Sequence, residues 1–221
     1  MTPDHGRTYK TVKNFDDLFV VVKDGVFEVL GPQHYVHGDM RFFEPRIDML
    51  RGVLRDIRDA LRLGSFNDFG AFKTLDLCCG GGDERIFFPI LPGILGTLGA
   101  NAHSADIEGA PRFASGLYTH YQINLMRIKD ERLGDIVGTG YDLVTMINTL
   151  GRGLDYSPSL AQTAAEAGMT MRQFQDILIP QVESILAPHG LAYLDTLDEW
   201  GRIIRKQMVQ CYRVRKEDFD I

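Results

Sequence analysis

Two β-rich apolar runs, Leu18–Val22 and Val26–Leu30, flank Lys23-Asp24-Gly25, and an Asp-Gly pair between such runs predicts a hairpin. From Phe43 the period changes. Phe43, Ile47, Leu50, Leu54, Ile57 and Leu61 recur at alternating spacings of four and three, with arginines and aspartates between them. That is one apolar stripe of an amphipathic helix, closed by Gly64 as its C-cap. Beyond residue 70, β-type runs alternate with helical patterns, which predicts parallel βαβ units. The strands expected are Thr74–Cys78, Ala100–Ala105 delivering Asp106, Tyr121–Leu125, Tyr141–Ile147, Leu191–Leu194 and Val209–Val214. Helical patterns cover Phe87–Leu98, interrupted by Pro89 and Pro92, then Pro111–Thr119, Met171–Leu186 and Glu199–Met208, with Ala187–Gly190 as a turn. The fold class predicted is α/β: a doubly wound, mostly parallel sheet with helices on both faces and an N-terminal hairpin-plus-helix extension. The chain ends soon after strand five, so an incomplete C-terminal strand pair is expected. Residues 1–70 form the extension and 71–221 the main domain, with an insertion at about 149–168. No internal repeat or low-complexity tract is present.

Composition narrows the classes. A chain of 221 residues with 44% hydrophobic and 24% charged residues is long enough for one well-buried core. No run approaches the ~18 apolar residues of a membrane span. The start, Met1-Thr2-Pro3-Asp4-His5-Gly6, lacks a signal-peptide core. Three cysteines, two of them adjacent, make neither a disulfide framework nor a zinc site, and a cytoplasmic setting is expected. A net charge of −6 weighs against a nucleic-acid partner. Arg202, Arg205, Lys206, Arg213, Arg215 and Lys216 cluster locally, but Glu199, Glu217, Asp218 and Asp220 flank them, as on a solvated helix face.

The candidate chemistry centres on Thr74-Leu75-Asp76-Leu77-Cys78-Cys79-Gly80-Gly81-Gly82-Asp83-Glu84, where a short strand delivers an acid and then breaks into glycines. The arrangement presents bare backbone N–H groups at the carboxyl edge of a sheet, where ligands bind in open α/β folds. The glycines alone are also what a plain strand-to-helix turn would use. A P-loop is excluded, because Gly82-Asp83-Glu84 lacks the Gly-Lys-Ser/Thr ending and its acids would repel phosphate.

The run resembles the first motif of the class I S-adenosylmethionine (SAM)-dependent methyltransferases, apolar-apolar-Asp-apolar-Gly-Cys-Gly-x-Gly. Cys78 stands at the first glycine, while Cys79, Gly80 and Gly82 match. Other segments follow in the family's order. Leu98–Ile107 is similar to the second strand ending in the ribose-binding acid, here Asp106. Asn124 falls where the family's adenine-reading polar residue lies. Tyr141-Asp142-Leu143-Val144 is similar to the fourth motif, and Leu186-Ala187-Pro188-His189-Gly190-Leu191 to the turn before strand five. The resemblance implies a Rossmann-like fold, SAM as cofactor and S-adenosylhomocysteine (SAH) as product. It places Asp76, Cys78, Gly80, Gly82, Asp106, Ile107, Asn124 and Asn148 around the cofactor, with Asp76 near its ammonium.

The acceptor side is less defined. Asn148 ends strand four but is followed by Thr149-Leu150 and not by the Pro-Pro-aromatic of amino-methylating enzymes acting on adenine or glutamine; a loop-capping role stays open. The 148–168 segment is expected to roof the pocket. His34-Tyr35-Val36-His37-Gly38-Asp39 offers Tyr35 and His37 as catalytic candidates, against a surface loop or a sparse ligand set. No metal site is expected. Cys78 and Cys79 read as small pocket-wall residues, since nearby acids would raise a thiol pKa. Trp200 reads as a core anchor and His189 as a turn residue. The expected activity is methyl transfer to an oxygen or nitrogen of a small-molecule acceptor, without nucleic acid or membrane, and a homodimer is compatible with it. Aminopropyl transfer, SAM cyclisation or SAM binding without catalysis stay open on the same fold.

Overall fold

A computed structural model of the chain describes residues 53–79, 90–107, 118–147, 160–194, 200–205 and 208–213. The hairpin expected at 18–30, the loop with Tyr35 and His37, and residues 111–117 of the helix expected at Pro111–Thr119 lie outside them; the last residue of that helix, Thr119, is in a strand instead. Helix α1 occupies residues 53–61. It carries the end of the apolar stripe, with Leu54 and Ile57 fully buried. It does not close at Gly64. Arg62 takes the left-handed conformation at φ 57°, Leu63 N donates to Arg58 O at 3.0 Å and Arg62 N to Asp59 O at 3.1 Å. That pair of bonds is a Schellman ending with arginine at C′, and Leu63 packs back on the core as its apolar partner.

A 3-10 helix, Phe66–Ala71, leads into strand β1, Lys73–Leu77. There follow α2 (Ile90–Thr97), β2 (Asn101–Asp106), β3 (Thr119–Gln122), a 3-10 helix (Leu125–Lys129), α3 (Leu133–Val137), β4 (Tyr141–Met146), α4 (Leu160–Glu166), α5 (Met171–Ile185), β5 (Leu186–Leu194), β6 (Trp200–Arg205) and β7 (Met208–Arg213). Pro92 does not interrupt α2; it lies in the first turn, where its missing N–H removes no intrahelical bond. Strand three ends earlier than its sequence suggests, because Asn124 caps the 3-10 helix that takes Leu125 out of the sheet.

The strands form one seven-stranded sheet in the order β3-β2-β1-β4-β5-β6-β7. The first five are parallel, and β6 and β7 add antiparallel neighbours beyond β5. The expectation of an incomplete C-terminal pair is therefore corrected, and so is the helix expected at Glu199–Met208, whose described residues are strand β6, Trp200–Arg205, and Met208 at the start of β7. The basic residues Arg202 and Arg205 lie on that strand and Arg213 on β7, not on a helix face. Edge pairing overrides local periodicity here: the outer side of β5 needs hydrogen-bond partners, and β-branched Ile203 and Ile204 suit a strand.

The two faces of the sheet are both covered. One face packs Leu75, Leu77, Tyr141, Val144 and Met146 against α5, whose Phe174, Leu178, Val182 and Ile185 are buried. Helix α5 starts at Thr170, whose side chain accepts from Gln173 N while Gln173 Oε1 accepts from Thr170 N, a reciprocal cap. Burying Phe174 alone contributes about 2–3 kcal/mol. The other face packs Ala102, Leu143, Leu191 and Tyr193 against α1, α2 and the first 3-10 helix. Ala187–Gly190 lies within β5 as a bulge: β4 advances from Tyr141 to Leu143 while β5 advances from Leu186 to Leu191. Gly190 is required there, since a Cβ would stand 2.4 Å from Tyr141 O. Among the described residues, no helix is long and apolar enough to cross a membrane.

Candidate functional site

The strand order reverses direction between β1 and β4, and in open α/β sheets the crevice at the carboxyl ends beside that reversal is the binding edge. Strand β1 alternates faces, so Leu75 and Leu77 go to the α5 side and Thr74 and Asp76 to the other. The register then lines up a polar row across four strands: His120, Ser104, Asp76 and Thr145. Within it, Ser104 Oγ is hydrogen-bonded to His120 Nδ1 at 2.8 Å, and Thr145 Oγ1 donates to Asp76 Oδ1 at 2.7 Å. Asp76 and Asp106 are 7% and 9% exposed, and Ser104 and Thr145 are buried.

After Asp76 the chain turns at Cys78, whose φ of 53° is left-handed, an uncommon conformation for a residue with a Cβ. The strain falls where the resembled motif has glycine. Cys79 N then donates to Ala105 O at 3.4 Å, which ties the turn to the end of β2. Burial, followed by the carboxylates of Asp76 and Asp106, pushes the Cys79 thiol well above its usual range, while a hydrogen bond with Ser104 works the other way. A thiol so raised stays protonated at neutral pH. The expected rise of the thiol pKa is present at Cys79, with burial the larger cause and the acids the second.

On the neighbouring side, Ile123 N donates to Asp106 O at 2.7 Å, bringing the end of β3 against the end of β2. Asn124 follows, with Oδ1 accepting from Met126 N at 2.9 Å, so part of its side chain caps the 3-10 helix. Ile107, 44% exposed, is the exposed large apolar residue among those described, and Gln122 Nε2 donates to its carbonyl at 3.3 Å. The fold thus gathers Asp76, Cys78, Asp106, Ile107 and Asn124 at one edge of β1, β2 and β3. Gly80, Gly82, Asn148, Tyr35 and His37 lie outside the described residues.

Three further residues belong to this edge and were not singled out from sequence. Thr145 and Ser104 each put a hydroxyl inside a buried stretch of strand; for Thr145 a polar residue within the apolar run Leu143–Ile147 is the signal that could have found it, whereas Ser104, next to His103, carries no such signal. Tyr118 precedes β3; its hydroxyl is buried without a hydrogen-bond partner among the described residues, and burial and then the nearby Cys79 raise its pKa. An orphaned hydroxyl near the Cys79 thiol, which itself feels the carboxylates of Asp76 and Asp106, suits a polar ligand better than it suits a closed core. Among the described residues, no group of three or more His, Cys, Asp or Glu could hold a metal ion.

No family model and no curated protein sequence matches this chain. Among solved structures, it is similar to the MycE methyltransferase from the mycinamycin biosynthetic pathway, solved with Mg and SAH, at a TM-score of 0.38 and 11% identity. That similarity covers 63% of this chain and 31% of the other. It is also similar to the plantazolicin methyltransferase BpumL, in complex with a pentazolic desmethylPZN analog and SAH, at a TM-score of 0.33 and 16% identity, over 81% of this chain and 59% of the other. The chain therefore spans about a third to three-fifths of the length of these two proteins.

Proposed function

We propose that this protein is a SAM-dependent methyltransferase that transfers a methyl group to an oxygen or nitrogen of a small-molecule acceptor. The observation carrying this reading is the pair of buried carboxylates, Asp76 on β1 and Asp106 on β2, set on either side of the Cys78–Cys79 turn at the switch point. Their negative field disfavours phosphate and suits a ligand with an ammonium group and a diol. In this reading Asp76, Cys78, Gly80 and Gly82 hold the methionine end. Asp106 accepts from both ribose hydroxyls, while Ile107 and Asn124 meet the adenine. Asn148, just beyond β4, and the loop to residue 168 enclose the acceptor, with Tyr35 and His37 contributed from the N-terminal segment.

The bound cofactor supplies an electrophilic methyl group on a sulfonium. The chain's own part is to hold the acceptor atom in line with that methyl and to exclude water. A neutral Cys79 thiol is compatible with this setting, since a thiolate would compete with the acceptor as a nucleophile. Titration calorimetry with SAM and SAH tests the reading: both ligands bind the wild-type chain, and no heat with either would overturn it. Product analysis after incubation with SAM then separates methyl transfer, which leaves SAH, from aminopropyl transfer or cyclisation, which leaves methylthioadenosine.

A further inference from the structure

Thr145, the penultimate residue of β4, is 1% exposed between Val144 and Met146, which are fully buried. A hydroxyl in such a place is costly unless it is bonded. Its bond goes to a functional group: Oγ1 donates to Asp76 Oδ1 at 2.7 Å, while its approach to Leu75 O, at 3.5 Å, is at the limit of a hydrogen bond. Asp76 and Thr145 are register partners across β1 and β4, the two strands between which the sheet reverses its winding. The facing residue on the opposite neighbour, Ser104, is engaged with His120.

We infer that Thr145 is a positioning residue, whose hydroxyl holds the Asp76 carboxylate in one orientation and thereby sets the affinity of the site for the amino-acid end of the cofactor. The inference rests on the cofactor reading above. A β-branched residue in a strand is stiff at χ1, so the donor is itself fixed by the sheet. A carboxylate with one oxygen so held needs little further ordering when a cation arrives, and the hydrogen bond is charge-assisted. Without the donor, the ionised form of Asp76 loses a charge-assisted bond.

The ligands that test this are SAH and 5′-methylthioadenosine, which keeps the adenine, ribose and sulfur but lacks the α-ammonium and carboxylate. Calorimetry on wild type, Thr145→Val and Thr145→Ser is expected to give a selective pattern. Thr145→Val weakens SAH about tenfold through the lost charge-assisted bond. It leaves methylthioadenosine within about twofold of wild type, as for a site with no shared partner. Thr145→Ser, which keeps the hydroxyl and drops a methyl, binds both ligands as wild type does. In the Asp76→Asn background, Thr145→Val adds no further loss.

A Thr145→Val chain that loses both ligands equally marks a packing role and overturns the inference. Parity of Thr145→Val with wild type for SAH, or failure of Thr145→Ser to rescue, overturns it too. A wild-type chain that takes neither ligand removes the cofactor reading itself and this inference with it. Wild-type binding of both ligands with an indifferent Thr145→Val removes only the role of Thr145.

Discussion

Two polar clusters interrupt the apolar faces of this sheet, and they are built on opposite rules. On the α5 side, His103, Tyr121, Tyr141 and Lys73 close on one another. Asn101 Oδ1 lies 3.1 Å from His103 Nε2, so the neutral ring carries its proton there and Nδ1 accepts from the Tyr121 hydroxyl at 3.2 Å. The Tyr121 ring stacks on His103 and the Tyr141 ring meets it edge-on. Tyr141 donates to Val137 O, and Lys73 Nζ lies 4.3 Å from the Tyr141 ring centre while donating to Thr139 O at 2.7 Å. On the other face, near the carboxyl ends, Asp76 and Asp106 concentrate like charge around a neutral thiol, and the Tyr118 hydroxyl has no partner among the described residues. The first cluster completes itself and stabilises the fold. The second gathers like charge, which a cationic, hydroxylated ligand would offset.

The contrast makes ordered predictions. The largest effect is expected at the carboxyl edge. Asp106→Ala weakens SAH binding about 100-fold, the worth of two charge-assisted hydrogen bonds, with no fall in melting temperature. Calorimetry and thermal scans read the two quantities, and unchanged affinity would remove the ribose assignment. Next comes the self-satisfied cluster, where the signs reverse. Tyr141→Phe leaves the Val137 carbonyl without its donor and costs about 1–2 kcal/mol in urea unfolding, with ligand affinity unchanged. Loss of affinity in that variant would erase the distinction between the clusters.

A smaller effect is expected from pH. Burial, and then the charge of Lys73, lowers the His103 pKa from its ordinary 6.5. The folded chain therefore binds a proton less readily than the unfolded one. This contribution to stability is fully present above pH 6.5 and is lost as pH falls through that value toward the folded pKa. Urea midpoints measured across that interval should fall on acidification, and His103→Gln should flatten the slope; an identical slope in the variant would refute the assignment. The smallest change is at Tyr118. Removing an unpartnered buried hydroxyl should leave stability unchanged or raise it by about 0.5 kcal/mol in Tyr118→Phe. A drop of about 1 kcal/mol or more would show that the hydroxyl is bonded in the protein.

Much of the scaffold was legible from periodicity. The spacing of Phe174, Leu178, Val182 and Ile185 marked α5 to within a residue, and the runs ending at Leu77, Asp106 and Met146 marked the strands that carry the edge. The misreadings share a cause. Glu199–Met208 has residues spaced for a helix, yet its stretch from Trp200 pairs along β5, because an unpaired sheet edge outweighs a weak local preference. Gly64 looks like a helix stop, yet Arg62 takes the left-handed position since Leu63 then reaches the core.

At the candidate site, Asp76 could be read as an acid set between leucines just before a glycine run, and Asp106 as the acid that ends the second strand. Ser104 and Tyr118 could not, and Thr145 showed only as a lone hydroxyl in an apolar run. Their importance comes from which strands lie side by side, and pairing across β1, β2, β3 and β4 joins residues far apart in the chain. Local pattern alone determined that strands alternate with helices here and that an acid precedes a tight turn at the end of the first strand. The tertiary structure decided that a second acid and a threonine hydroxyl stand against that turn, because only the order and register of the sheet set which side chains share a face.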